Sequence, residues 1–143
     1  MQIVDANVLL YAIDNDSPKH EESVAWLDNA LLGNESVGFA WTVMLAFFRL
    51  STRRAVFPQP LTWEQASSAL EEWLDQPAAV LVEPSTRHSS LLHGMLQPFG
   101  SAGNLVADAH LAVLSPEHGA RVITYDNDFG RFAGVRWEMP QMP

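Results

Sequence analysis

Gln2-Ile3-Val4-Asp5-Ala6-Asn7-Val8-Leu9-Leu10-Tyr11-Ala12-Ile13 joins a short apolar run to an acid and then to a longer apolar stretch. Gln2 to Asp5 reads as a brief buried strand, and Ala6 to Ile13 as a helix that leaves it directly. The pattern recurs. Strands are expected at Ser36 to Phe39, Ala78 to Val82 and Arg121 to Tyr125, with a short fifth at Val135 to Trp137. Helices are expected from Ser17-Pro18 to Gly33, from Trp41 to about Arg53, from Thr62 to about Asp75 and from Thr86 to Gln97. A last one carries Asn104 to Leu114 and closes at Gly119. Ser17 is read as a cap with Pro18 in the first turn, Thr62-Trp-Glu-Gln65 as a capping box, and Pro116 as a kink or early stop. Strands of four or five apolar residues separated by helices are buried on both faces. They imply a mainly parallel sheet between two helical layers, a three-layer α/β/α sandwich.

With 143 residues and neither a linker nor a repeat, one domain spanning 1–143 is expected. The chain has no cysteine, which excludes thiolate metal sites and disulfides. It has no apolar run of membrane-spanning length and no basic segment before Gln2, so the expected location is cytoplasmic and off the membrane. Seventeen acids face eight bases, all Arg except Lys19, for a net charge of −9. A broad basic face for nucleic acid is excluded, so any such contact must be local or work through metal ions. Arg49 and Arg53 are four apart and share a helix face with Arg54 nearby, either as a solvated surface or as a phosphate clamp.

Asp108 stands out because its helix is otherwise nearly all apolar. At 100° per residue, Asn104, Asp108 and Ser115 lie within about 40° of one another, a narrow polar stripe. Asp5 follows the first strand and Asp126 the fourth, with Asp128 close behind, and ligands in such folds bind beyond the carboxyl ends of strands. Each acid has a plainer reading. Asp108 could be held by an amide or an Arg, Asp5 could be an N-cap, and Tyr125-Asp-Asn-Asp128 is turn chemistry able to cap Phe129 to Phe132. Their joint placement suggests a cation site. Two carboxylates about 5 Å apart repel by roughly 3 kcal/mol at an effective dielectric near 20, and a divalent ion relieves that. Oxygen ligands without Cys or clustered His favour Mg²⁺, with Mn²⁺ able to substitute. Such an ion activates water and neutralises phosphate charge, which phosphodiester hydrolysis requires.

Three stretches then resemble one family in its own order. Ile3-Val4-Asp5-Ala6-Asn7-Val8-Leu9-Leu10-Tyr11-Ala12 resembles the opening of PIN-domain ribonucleases. Ala107-Asp108-Ala109-His110-Leu111-Ala112 resembles their central acidic helix, and Thr124-Tyr125-Asp126-Asn127-Asp128-Phe129 their Thr-x-Asp-x-Asp-Phe strand end. The likeness covers essentially the whole chain and is greatest to the VapC toxins of bacterial toxin–antitoxin pairs. It implies a PIN-like fold and a Mg²⁺- or Mn²⁺-dependent endoribonuclease acting on RNA, often tRNA. Asp5, Asp108 and Asp126 would be metal-binding, Asp128 a catalytic helper, and Asn104 and Arg49 substrate contacts. It further implies a homodimer and a VapB-like antitoxin, whose basic segment would enter the acidic pocket.

One departure stands against that pattern. The family commonly carries a third-helix Glu in Glu-x-x-Arg, and here Leu45-Ala46-Phe47-Phe48-Arg49 places Ala46 there. Weakened catalysis, or a module that mainly binds its antitoxin or RNA, is therefore the alternative. A dehalogenase-type phosphatase is disfavoured because Asn7 stands where a second Asp is needed, and a receiver domain because it needs a late lysine. Trp26, Trp41, Phe47, Phe48, Trp63 and Trp73 read as core or dimer interface, with a partner-helix groove as the sharper alternative. No His is assigned to metal; His110 points away from Asp108 on the helix, and His118 suits a capping role.

Overall fold

The structure, a computed structural model, describes residues 1–143. Its strands are β1 (Gln2–Val4), β2 (Val37–Ala40), β3 (Ala79–Val82), β4 (Arg121–Ile123) and β5 (Trp137–Glu138). They form one sheet in the order β3-β2-β1-β4-β5, every pairing parallel. Its helices are α1 (Ala6–Ile13), α2 (His20–Leu31), α3 (Trp41–Ser51), α4 (Trp63–Leu74), α5 (His88–Leu96) and α6 (Leu105–His118). The strand path steps from β1 to β2 to β3 in one direction, then crosses back to β4. Right-handed crossovers therefore put α1 to α4 on one face and α5 with α6 on the other. Contacts of α1 with α2 and α3, of α3 with α4, and of α5 with α6 agree. The expected three-layer α/β/α sandwich is the observed fold.

Ile3 and Val4 have no exposed surface, and they sit in a cluster of 27 buried residues that reaches both helical layers. Burial of whole aliphatic side chains at roughly 1.5–3 kcal/mol each makes this cluster the main support of the sheet. Gly38 is required where β2 runs beside β1 and β3. A Cβ there would meet Val82 Cγ1 at 2.9 Å and Ile3 Cγ1 at 3.2 Å.

Several element ends differ from expectation. Ser17 and Pro18 do not start α2. Ser17 Oγ accepts from the Lys19 amide at 3.1 Å, and Ser17 O accepts from the His20 amide at 3.1 Å. That turn spends the cap before the helix begins, and His20 Nδ1 then donates to Tyr11 O at 2.9 Å to tie the helix start to α1. Gly33 follows α2 without a left-handed backbone. β4 stops at Ile123, because Thr124 and Tyr125 turn their polar groups to the site described below. Pro116 does not shorten α6. It lies in the last turn, and Gly119, at φ 60°, closes the helix with its amide bonded to Ser115 and Pro116 carbonyls. The Thr62 capping box forms as read, with Gln65 N to Thr62 Oγ1 at 3.2 Å and Thr62 N to Gln65 Oε1 at 3.0 Å. Trp26 and Phe47 are core, whereas Trp41 (53% exposed) and Trp63 (68% exposed) are not.

Candidate active site

β1 lies between β2 and β4, so the chain path reverses beside it and a crevice opens past its carboxyl end. Asp5 is the first residue there and caps α1, its Oδ1 accepting from Ala6 N at 2.7 Å. Its Oδ2 accepts from Thr124 Oγ1 at 2.7 Å and from Asn7 Nδ2 at 3.2 Å. Thr124, fully buried past the end of β4, is the hub. Its hydroxyl donates to Asp5 and accepts from Asn7 Nδ2 and the Asp126 amide, both at 3.0 Å. Asn7 Oδ1 completes the lattice by accepting from Tyr125 N at 3.2 Å. The N-cap reading of Asp5 is thus correct, and it coexists with a site. All its donors are neutral, and a carboxylate has roughly four lone-pair directions, so three bonds leave room for another ligand.

Asp108 approaches from α6. A cleft of about 160 Å³ brings it together with Asp5, between Thr42, Val43 and Ala46 of α3 and Ala107 and Leu111 of α6. Asp108 has no hydrogen-bond partner within the protein, and no ion pair includes Asp5, Asp108, Asp126 or Asp128. Burial first, then the negative charges of Asp5, Asp126 and Asp128, push the Asp108 carboxyl from 3.8 up to about 6. Burial also raises Asp5, against the lowering by its Thr124 and Ala6 hydrogen bonds, and Asp126 adds to the rise.

Asp126 caps a 3₁₀ turn, Asn127–Arg131, through Asp128 N to its Oδ1 at 2.8 Å, so the turn-chemistry reading also holds. It stands close enough to act electrically on both cleft acids, and exposed Asp128 acts on Asp108. No three acids or histidines gather tightly enough to enclose an ion by themselves. Asp5 and Asp108 form the facing pair. Two carboxylates with waters suit Mg²⁺, which keeps much of its hydration shell, and an all-oxygen set with no nearby cation fits it chemically.

The remaining candidates separate. Asn104 is exposed and lines a neighbouring cleft rather than that of Asp5 and Asp108. Arg49 is exposed and lines neither, although Thr42, Ala46 and Arg49 follow one face of α3. Ala46 does face the acids, so the position where a Glu was expected looks into the cleft. Asn7 and Thr124 went unassigned in the sequence, although both lie inside the quoted motifs. A cluster of His88, His110 and Glu117 had no sequence signal at all.

The uncompensated pair has a cost that can be measured. The folded state holds the Asp108 proton more tightly than the unfolded chain. Its contribution is therefore favourable below about pH 4 and is lost as pH rises through about 6. A shift of that size is worth at most about 3 kcal/mol, and half-exposure of the side chain reduces it to roughly 1–2 kcal/mol. In EDTA at pH 7.5, Asp108→Asn is expected to melt about 3–6 °C above the wild type, the gap closing by pH 4. A variant melting below the wild type at pH 7.5 shows that the Asp108 charge carries no such cost.

Comparison with known proteins follows the same lines. Residues 3–135 match the PIN domain family. The chain is 54% identical to ribonuclease VapC37 of Mycobacterium tuberculosis over 140 residues, 98% of this chain and 97% of that one. It is 34% identical to ribonuclease VapC33 of the same species, again over 98% of each. Among solved structures, VapBC2 of Rickettsia felis bound to a promoter DNA fragment superposes with a TM-score of 0.70 at 18% identity, covering 96% of this chain and 97% of that one. M. tuberculosis VapC20, described as a sarcin-ricin loop cleaving toxin, gives 0.69 at 15% identity over 95% and 99%. With a five-stranded parallel sheet, Asp5 and Asp108 facing each other past its switch point, and a match along nearly its whole length to VapC ribonucleases, this chain belongs to the PIN domain family.

Proposed function

We propose that this protein is an endoribonuclease toxin of a type II toxin–antitoxin pair, hydrolysing RNA phosphodiesters at the Asp5–Asp108 cleft with Mg²⁺ or Mn²⁺. The observation that carries the reading is the facing pair itself: two coupled carboxylates in one crevice with no Lys or Arg to neutralise them. Asp5 and Asp108 would hold the ion, with Asp126 beside them and Asp128 at the rim. Bound there, the ion supplies an activated water and charge relief at the scissile phosphate. Thr124 and Asn7 fix the Asp5 carboxylate in direction, and Asp126 and Asp128 keep the crevice negative enough to recruit the cation. Arg49, one turn beyond Ala46 on α3 and exposed, would meet the RNA backbone as the strand leaves the crevice. Structured RNA such as tRNA is the substrate class this reading favours.

The same negative crevice selects its inhibitor. A VapB-like antitoxin with a basic segment would set an Arg or Lys against Asp5 and Asp108, competing with the metal, on a toxin that pairs as a homodimer. A crystal structure of the complex with no basic side chain at those carboxylates counts against this partner reading. The direct test of activity is cleavage of labelled RNA with Mg²⁺, with Mn²⁺ and with EDTA. Cleavage that persists in EDTA removes the metal from the reading.

Ala46 favours a second reading, a weakened nuclease that acts mainly by binding. A methyl stands in the cleft where a third carboxylate would reach the ion. Ala46→Glu is expected to lower the Mg²⁺ concentration for half-maximal cleavage by about tenfold, the size of one added oxygen contact. An unchanged metal requirement means that Asp5 and Asp108 already suffice.

A further inference from the structure

Beside the acidic cleft lies a wider one of about 550 Å³, lined by Thr42, Leu92, Asn104, Val106 and His110 among others. Thr42 and Ala107 border both, so a strand lying across the acids continues into it. His110 is held there by a chain of hydrogen bonds that runs inward from Ser85. Glu117, whose side chain is only 3% exposed, accepts from His88 Nδ1 at 3.0 Å, from Ser85 Oγ at 3.1 Å and from Ser85 N at 3.3 Å. His88, itself buried, meets His110 Nδ1 through Nε2 at 2.8 Å, the two rings edge to face. The imidazole of His110 is thereby fixed in one orientation, with Nε2 left without a protein partner.

The chemistry of this second cleft is wrong for phosphate. No Lys or Arg lines it. The first amides of α6 that could face it, those of Leu105 and Val106, are already bonded to Ala102 and Gly103 carbonyls. What it offers is a hydroxyl, an amide and an imidazole around two aliphatic side chains. That set suits a neutral planar ring with a hydrogen-bonding edge.

We propose that this cleft is a nucleobase subsite, in which His110, positioned by the Glu117–His88 pair, and Asn104 hydrogen-bond the edge of a base flanking the cut bond while Leu92 and Val106 cover its face. The inference rests on the ribonuclease reading and names the part of the substrate that this end of the site recognises. His110 is a specificity residue here, and His88 and Glu117 are positioning residues.

The probe is a fluorescein-labelled RNA stem-loop of defined sequence, of the structured class proposed above, whose cut site is mapped with the wild type. His110→Ala is expected to raise KM about tenfold with kcat within about twofold, and His110→Gln, which keeps a hydrogen-bonding group, to recover most of that. Removing the flanking base, as an abasic nucleotide, is expected to cost the wild type more than about tenfold, because the Asn104, Leu92 and Val106 contacts go with it, and to cost His110→Ala about tenfold less than it costs the wild type. An unchanged KM in His110→Ala, or losses that multiply in full when variant and abasic RNA are combined, overturns the subsite. Affinity for the same RNA in EDTA, read by anisotropy, separates the two readings. RNA bound tenfold more weakly by His110→Ala but never cut overturns the nuclease and keeps the subsite. RNA neither cut nor bound overturns both.

Discussion

Asp108→Asn is expected to leave a folded protein that no longer cuts RNA, with turnover down by about 10³-fold or more, a loss of roughly 4 kcal/mol of transition-state stabilisation. Asp108 is the cleaner of the two cleft acids to change, because it has no hydrogen bond within the protein to lose. Its amide analogue is nearly the same size, removes one negative charge from a crowded crevice, and binds a hard cation poorly. The same substitution is expected to raise the melting temperature in EDTA at neutral pH. Lost activity together with gained stability is a combination that partial unfolding cannot produce. Asp5→Asn is expected to lose as much turnover but some stability too. Its new amide nitrogen would face donors that now converge on Oδ2, chiefly Asn7 Nδ2. Turnover within tenfold of the wild type in Asp108→Asn would remove that residue from the reaction.

Thr124→Val should be the most damaging change of a single buried polar atom. The substitution keeps the shape and deletes the hydroxyl that serves Asp5, Asn7 and the Asp126 amide at once. Thr124 has no exposed surface, whereas Asp5, Asn7 and Asp126 are half-buried and keep some access to water from the cleft, which moderates the loss. Stranding two donors and one charged acceptor is expected to cost about 2–4 kcal/mol, or roughly 4–15 °C of melting temperature. Cleavage is expected to fall about 10–100-fold, the usual cost of removing a group that orients a metal-binding carboxylate. Thr124→Ser restores the hydroxyl and should recover most of both. A Thr124→Val protein with wild-type activity and melting point would show that Asp5 needs no such support.

What could be read from the sequence was what depends on neighbours in the chain. The strand into Asp5, the Thr62–Gln65 capping box and the isolation of Asp108 on an apolar helix are local, and all three appear in the structure. Ser17 and Pro18 misled because two local arrangements compete for the same groups, and the turn won once His20 found the Tyr11 carbonyl. Ala46 was suspect only by comparison with a motif, and the fold supplies the reason by turning it into the cleft. The His88–His110–Glu117 chain could not be read. Its members come from two helices, with His88 lying 22 residues from one partner and 29 from the other. Neither periodicity nor charge pattern links them.

The hydrogen bond between Asp5 and Thr124 closes over 119 residues. At a ribosomal pace of about 5–20 residues per second, Asp5 waits on the order of 6–24 s for its hydroxyl partner to be made. Once β2 has been made, β1 has a neighbour on one side and nothing on the other until β4 follows. A growing chain of this protein therefore carries its first acid without the groups that aim it or the acid that faces it. Under the proposed activity, a polypeptide abandoned before β4 cannot harm the cell that makes it, and its unpaired central strand marks it for proteolysis.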